Sequence, residues 1–327
     1  MRRRTLLAAA VALAGSVGLA QAQEAVRIGT SSVGSTFYTL SVGISEILNR
    51  HAGINATVEP LGGSGPNIFG LADGTIELSM VNSFNAYTGF NGLAPFREPT
   101  DLYMLFQGQP TYRFIMVRPG AGITSPRDLE GRTFIGRRRA LVEIEQVAEA
   151  MLRAYGIDPS QVNIVETQNT PEALEAVAVG SVDGLIVPGG RLDPGLMEAV
   201  QNGRLEFLNL EDEYFEAMAA ALPDAFYTDV LNPGDYPGQD EPIRIVGMNT
   251  YILARPGVDE DTAYRITKAI LENTDELATF HSGGAYYTLE RALIAPAVPF
   301  HPGAVRFLKE AGVWTDEMEE LQQQLLR

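Results

Sequence analysis

Short apolar runs alternate with longer amphipathic stretches from residue 26 to the C-terminus. Val26-Arg27-Ile28-Gly29 predicts a first strand, and a polar, small-residue stretch follows it. The next helix carries Phe37, Leu40, Ile44, Ile47 and Leu48 on one face. Further strands are predicted at 55–59, 76–81, 102–106, 112–117 and 133–135, and Pro119-Gly120 ends the fifth of the series. Ser125-Pro126, a cap residue followed by proline, starts a short helix. Leu141, Ile144, Val147, Ala148, Met151, Leu152 and Tyr155 line a longer one that Gly156 closes. After the strand Leu185-Ile186-Val187 come helices near 194–202 and 211–222, then a proline- and glycine-rich segment at 232–242. A strand at 243–253, a long helix near 260–280 and two C-terminal helices complete the chain. Such alternation predicts an α/β fold, with parallel sheet covered by helices on both faces.

One unit of this pattern occurs twice. Leu71-Ala72-Asp73-Gly74-Thr75-Ile76-Glu77-Leu78 ends a helix, turns at glycine and enters a strand. Val177-Ala178-Val179-Gly180-Ser181-Val182-Asp183-Gly184 does the same, and Pro66 and Pro171 sit near the starts of the two helices. Any helix-to-strand turn favours glycine, but two matched copies predict two Rossmann-like lobes of similar topology. The outward crossing is placed near 107–111 and the return within 246–250. The second lobe, 111–248, is then inserted in a first lobe made of 23–110 and 249–327, with a two-segment hinge between them. The expected fold is therefore two Rossmann-like lobes joined by a hinge, type II periplasmic-binding-protein-like.

Composition changes the picture in two ways. The 327 residues are 45% apolar, 8% aromatic and 20% charged with no cysteine, which excludes a disordered, collagen-like or disulfide-stapled chain. Absence of cysteine also removes thiol catalysis and thiolate metal sites. Residues 1–22 have the form of a secretory signal, with Arg2, Arg3 and Arg4 before an apolar core at 6–14. Ala20-Gln21-Ala22 then offers a cleavage site. That core is too short for a bilayer span of about 20 residues. An exported, soluble, periplasmic protein is expected. The net charge of −17 becomes −20 once the three leader arginines are removed. Such an acidic chain repels nucleic acid and anionic lipid.

Enzyme motifs are missing. There is no G-x-x-x-x-G-K-[ST], no G-x-G-x-x-G after a strand and no H-E-x-x-H. Gly62-Gly63-Ser64-Gly65-Pro66 breaks G-x-S-x-G at its last position. His51, His281 and His301 are far apart, and each reads as a surface-loop or helix-end residue. Trp314 reads as packing. The acidic clusters at 211–213 and 235–241 lack metal-loop spacing and read as solvated faces. No catalytic residue, metal or cofactor is expected.

What remains is a set of small polar loops at the C-terminal ends of predicted strands, the edge where open α/β sheets bind ligands. Gly29 to Tyr38 supplies hydroxyls and free N–H groups at a helix start, an anion site or a plain cap by Ser35. Leu61 to Pro66 and Asn82 to Asn85 form two more such loops. In the second lobe the matching edge holds Arg137, Arg138, Arg139 and Arg191, whose guanidinium forks suit a carboxylate. Arg139 and Arg191 are the two expected to face the cleft.

Taken in order, these loops resemble the TAXI family of extracytoplasmic solute receptors, the binding subunits of tripartite ATP-independent periplasmic (TRAP) transporters. The resemblance runs from about Val26 to about Gly312. It rests on Ile28-Gly29-Thr30 through Phe37-Tyr38, Gly62-Gly63-Ser64 with Asn67, and Ser125-Pro126-Arg127-Asp128-Leu129-Glu130-Gly131-Arg132. The most specific markers are Tyr236-Pro237-Gly238-Gln239-Asp240-Glu241 and His301-Pro302-Gly303-Ala304. The resemblance implies a receptor that closes on a small organic anion, an amino acid or a dicarboxylate such as glutamate or 2-oxoglutarate. It would pass that anion to a sodium-coupled permease. Thr30, Ser35, Thr36, Tyr38, Gly63, Ser64 and Asn82 take the places of family ligand contacts. After Gly136 the sequence departs from the family, with Arg139-Ala140-Leu141-Val142 in place of a Gly-Ser-Gly-Thr-like run. A ligand-presenting sensor for a membrane kinase and an exported lyase or hydrolase are the rival readings.

Overall fold

A computed structural model describes residues 25–326. The expected leader and its cleavage after Ala22 lie outside them. The first strand, β1 (Ala25–Ser31), runs between β2 (Asn55–Gly62) and β3 (Leu78–Asn82), parallel to both. That central position explains why Ile28, Gly29, Thr30 and Ser31 are all buried rather than alternating. Helices α1 (Thr36–Ile47) and α2 (Ser64–Asp73) make the two crossovers, and α3 (Ser83–Phe90) leads to β4 (Tyr103–Gln107). The chain then enters a second sheet through β5 (Thr111–Val117). β6 (Thr133–Arg137), α4 (Glu143–Ala154), β7 (Asn163–Glu166), α5 (Thr170–Ala178) and β8 (Gly184–Gly189) follow. This lobe continues through α6 (Pro194–Gln201), β9 (Glu206–Phe207), α7 (Asp212–Ala220), β10 (Phe226–Leu231) and β11 (Ile243–Met248). β12 (Thr250–Ala254) re-enters the first sheet, ahead of α8 (Glu260–Leu271), α9 (Thr274–Phe280), α10 (Pro302–Glu310) and α11 (Asp316–Leu325).

Strand order is β2-β1-β3-β12-β4 in one sheet and β10-β11-β5-β8-β6-β7 in the other, with β9 also beside β5. Each lobe thus repeats one theme: a parallel βαβαβ core, then an antiparallel strand that has crossed from the other lobe. One core cluster fills the first lobe, and two clusters cover the faces of the second sheet. The architecture is α/β with two Rossmann-like lobes, the type II periplasmic-binding-protein-like form.

The repeat has a structural meaning. Gly74 and Gly180 take φ of 76° and 74°, a left-handed turn that glycine adopts without strain. The acidic residue that follows each turn then bonds the neighbouring parallel strand. Glu77 N donates to the Arg27 carbonyl at 3.0 Å, and Asp183 N to that of Thr133 at 2.8 Å. The carboxylates accept the return bonds, from Arg27 N at 2.9 Å and Thr133 N at 3.2 Å. Arg27 and Arg118 complete the two ion pairs.

Three expectations change. Both sheets are mixed rather than parallel, because the crossing strands β5 and β12 arrive antiparallel. The single strand at 243–253 is two strands in different sheets, parted at Asn249. The helix near 260–280 breaks after Leu271, where Asn273 Nδ2 donates to the Ala269 carbonyl at 2.7 Å and draws off an α8 end group. The two crossing segments meet where Gly108 N donates to the Thr250 carbonyl at 2.8 Å. No helix among the described residues is long and apolar enough to cross a membrane.

Candidate functional site

The helix starts that follow the parallel strands face one another across the seam between the lobes, and one half of that seam is sealed. Glu143 opens α4 with no exposed surface, and its carboxylate bridges the lobes. Oε1 accepts from Asn82 Nδ2 at 2.9 Å and Oε2 from Asn85 Nδ2 at 3.0 Å, both in the first lobe. From the second lobe Arg113, 2% exposed, donates to Oε1 through Nη2. Arg113 Nη1 also donates to Thr111 Oγ1 at 3.1 Å and to the Tyr112 carbonyl at 2.8 Å, while Nε has no partner. Nearby Arg138 Nη2 reaches Ser32 Oγ and the Gly62 carbonyl, each at 2.9 Å, and Nη1 reaches Thr170 Oγ1 at 3.2 Å. Burial pulls this guanidinium down to about 10, against the attraction of Glu143, so it stays charged at neutral pH. Gly65 N donates to the Ala140 carbonyl at 3.3 Å. A Cβ on Gly63 would lie 2.7 Å from that same oxygen, so this close approach requires glycine.

The other half of the seam keeps a cavity of about 100 Å³ beside the hinge. A single water needs roughly 10–15 Å³ on this measure, so there is room for a small metabolite. Ser35, Thr36, Thr111, Arg113, Thr170 and Asp193 provide polar wall, and Phe37, Pro110, Leu141, Leu174, Pro188 and Leu196 provide apolar wall. Both lobes contribute. Thr36 Oγ1 donates to Asp193 Oδ2 across the seam at 2.7 Å. Asp193 Oδ1 caps α6, accepting from Gly195 N at 3.0 Å and Leu196 N at 3.2 Å. His281 borders this half beside Gly190, and burial pushes its imidazole below the usual range against the opposing pull of Asp193.

Residues 28–312 match the NMT1-like family. The chain belongs to the NMT1-like family. Among solved structures it is similar to MatC from Rhodopseudomonas palustris with bound malate. The identity is 13%, over 92% of this chain and 98% of that one, at TM-score 0.57. It is also similar to XAC2383 from Xanthomonas citri bound to ATP, at 12% identity over 93% and 100% of the two chains and TM-score 0.51. The periplasmic aliphatic sulphonate binding protein SsuA from Escherichia coli matches at 17% identity, over 92% and 85%, with TM-score 0.48.

In this NMT1-like chain the residues singled out from sequence separate into three groups. Ser35 and Thr36 line the cavity. Ser35 is also the cap of α1, accepting from Tyr38 N at 3.2 Å. Gly63, Ser64 and Asn82 lie in the sealed half, where Ser64 Oγ accepts from Asn82 N at 3.2 Å. Thr30 is buried with its hydroxyl unpartnered, and Tyr38 is half-buried; neither is part of the cavity wall. Arg139 is exposed. Arg191 is held by Asp229 at 2.9 Å and Asp235 at 3.1 Å, and also donates to the Val230 carbonyl. The residues that sequence reasoning missed are Thr111, Arg113, Glu143, Thr170 and Asp193. Arg113 carried a signal, a lone charge inside the apolar run 112–117, and Asp193-Pro194 carried a helix-start signal. Glu143 carried none.

The motifs most specific to the resemblance are structural. Gln239 Oε1 accepts from Tyr236 N at 3.2 Å, and His301 Nδ1 accepts from Gly303 N at 3.2 Å to cap α10. His301 is therefore buried rather than a surface-loop residue, with Nε2 3.0 Å from the Val258 carbonyl. Trp314 packs edge-on against Phe300, with ring centroids 5.3 Å apart.

Proposed function

We propose that this NMT1-like protein is an extracytoplasmic solute receptor that captures a small organic acid between its lobes and delivers it unaltered to a membrane permease. The observation that carries the reading is the hinge-side cavity, walled by both lobes, with the buried guanidinium of Arg113 in its wall. Thr36 and Ser35 from the first lobe, and Thr111, Arg113 and Thr170 from the second, are the proposed contacts. Hinge motion about 107–111 and 248–250 would open and close the site. The lobes are taken as 23–110 with 249–327, and 111–248. The resemblance of its loop motifs to those of the TAXI family supports a TRAP-type, sodium-coupled permease as partner and a periplasmic location. The malate bound to MatC supports a carboxylate ligand.

A micromolar ligand corresponds to about −8 kcal/mol. Arg113 keeps one donor, Nε, without a partner. With its charge already met by Glu143, that hydrogen bond contributes roughly 0.5–1.5 kcal/mol, so loss of Arg113 weakens binding about two- to tenfold. The test is a thermal-shift screen of the purified protein over amino acids, four- to six-carbon dicarboxylates and aromatic acids. A ligand that binds only the folded state raises the melting temperature. The expected result is one chemical class of hits, each confirmed by calorimetry as stoichiometric and recovered unchanged. A screen with no hit, or a recovered compound that has been transformed, overturns the reading.

A further inference from the structure

Across the seam, three groups converge on one carboxylate: the amides of Asn82 and Asn85 and the guanidinium of Arg113. Donors from two lobes around a buried anion make the arrangement a carboxylate receptor. Here the carboxylate belongs to the chain itself. Both amides and the acid are fully buried. The loop that carries Glu143 into place is also the loop that presses Ala140 onto Gly63 and Gly65.

We propose that Glu143 is a resident anion of the interlobe seam. Its side chain occupies the position that a soluble carboxylate would take between Asn82, Asn85 and Arg113, and it holds the lobes together there. The exogenous ligand is thereby confined to the adjoining cavity. Two features favour this over a purely local packing role for Glu143. Its hydrogen-bond donors come from both lobes, 61 and 58 residues before it in one and 30 residues before it in the other. Arg113 also stands in the cavity wall, so the charge that Glu143 neutralises is one that a ligand would otherwise meet.

The inference uses the two-lobed geometry but not the identity of any natural ligand, and its test is independent of one. Glu143→Ala leaves a carboxylate-sized space lined by uncompensated donors. Acetate is the probe, against matched chloride, with melting temperature as the readout. Acetate is expected to raise the melting temperature of Glu143→Ala by roughly 2–5 °C. It should leave both the wild type and Glu143→Gln, which fills the space, unchanged. A folded Glu143→Ala protein that ignores acetate overturns the proposal, and so does an equal response in all three proteins. If Glu143→Ala cannot be recovered folded from chloride buffers, purification with acetate present replaces the titration. Folded protein only with acetate supports the resident anion, and failure under both conditions overturns it.

Discussion

The two halves of the seam are built from the same kinds of parts, helix starts from both lobes, yet one is closed and the other hollow. In the closed half most donors meet acceptors of the chain itself: Glu143 takes Asn82, Asn85 and Arg113, and Arg138 takes Ser32, Gly62 and Thr170, while Nε of each guanidinium stays unpartnered. In the hollow half a bond from Thr36 to Asp193 crosses between the lobes beside apolar wall. The difference teaches where ligand energy can enter. Buried polar groups already satisfied by the chain gain little from a ligand, whereas a partly apolar cavity with few fixed polar groups gains from being filled.

Four measurements would break or sharpen that contrast. The largest effect belongs to the closed half. Arg113→Met strands the Glu143 carboxylate without its counter-charge, and chemical denaturation is expected to show a loss of about 3–5 kcal/mol. Ligand affinity should fall with it, and a loss of stability below about 1 kcal/mol would mean that the pair does not hold the seam. In the hollow half, Thr36→Val removes one hydroxyl donor and should cost only about 1 kcal/mol. Its stronger signature is a weakened ligand, read by calorimetry.

A third measurement uses pH. His281 at the hollow half and His301 beneath α10 both accept a backbone N–H through Nδ1, from Gly283 at 2.9 Å and Gly303 at 3.2 Å. Burial lowers both from the usual 6.5, opposed for His281 by Asp193 and for His301 chiefly by the Val258 carbonyl. A depressed folded value means that the stability is present above pH 6.5 and is lost as pH falls through the lower folded value. Melting temperature should therefore drop with acidification below pH 6.5. Asn, which keeps a capping acceptor, should flatten the drop at either position. An unchanged profile in both variants would remove the histidines as its cause. The smallest effect is expected from Arg139→Ala. With its side chain at the surface, stability should move by less than about 0.5 kcal/mol and ligand affinity not at all. A large loss of affinity would show that the cavity is not where binding energy resides.

How much of this was legible beforehand differs between fold and site. Alternating strands and helices, and the turn at Gly74 with its echo at Gly180, were readable because burial within one element leaves a periodic trace. Thr36 was readable as a hydroxyl at a strand end. Arg139 and Arg191 were chosen for lying near helix or turn starts, but their side chains go to solvent and to Asp229 and Asp235. Arg113 looked like a strand residue and Glu143 like an ordinary first-turn acid.

The amino-acid order alone settled the α/β class, the duplicated lobe and the small polar loops that follow its strands, since each depends on periodicity and turn chemistry within a few residues. Tertiary structure decided which of those loops touch. A pairing such as Asn82 with Glu143 depends on how two lobes are set across a hinge, and hydrogen bonds tolerate errors of only a few tenths of an ångström. No local pattern carries that angle, so the sealed half, the cavity beside it and the role of Arg113 in both emerged only from the folded molecule.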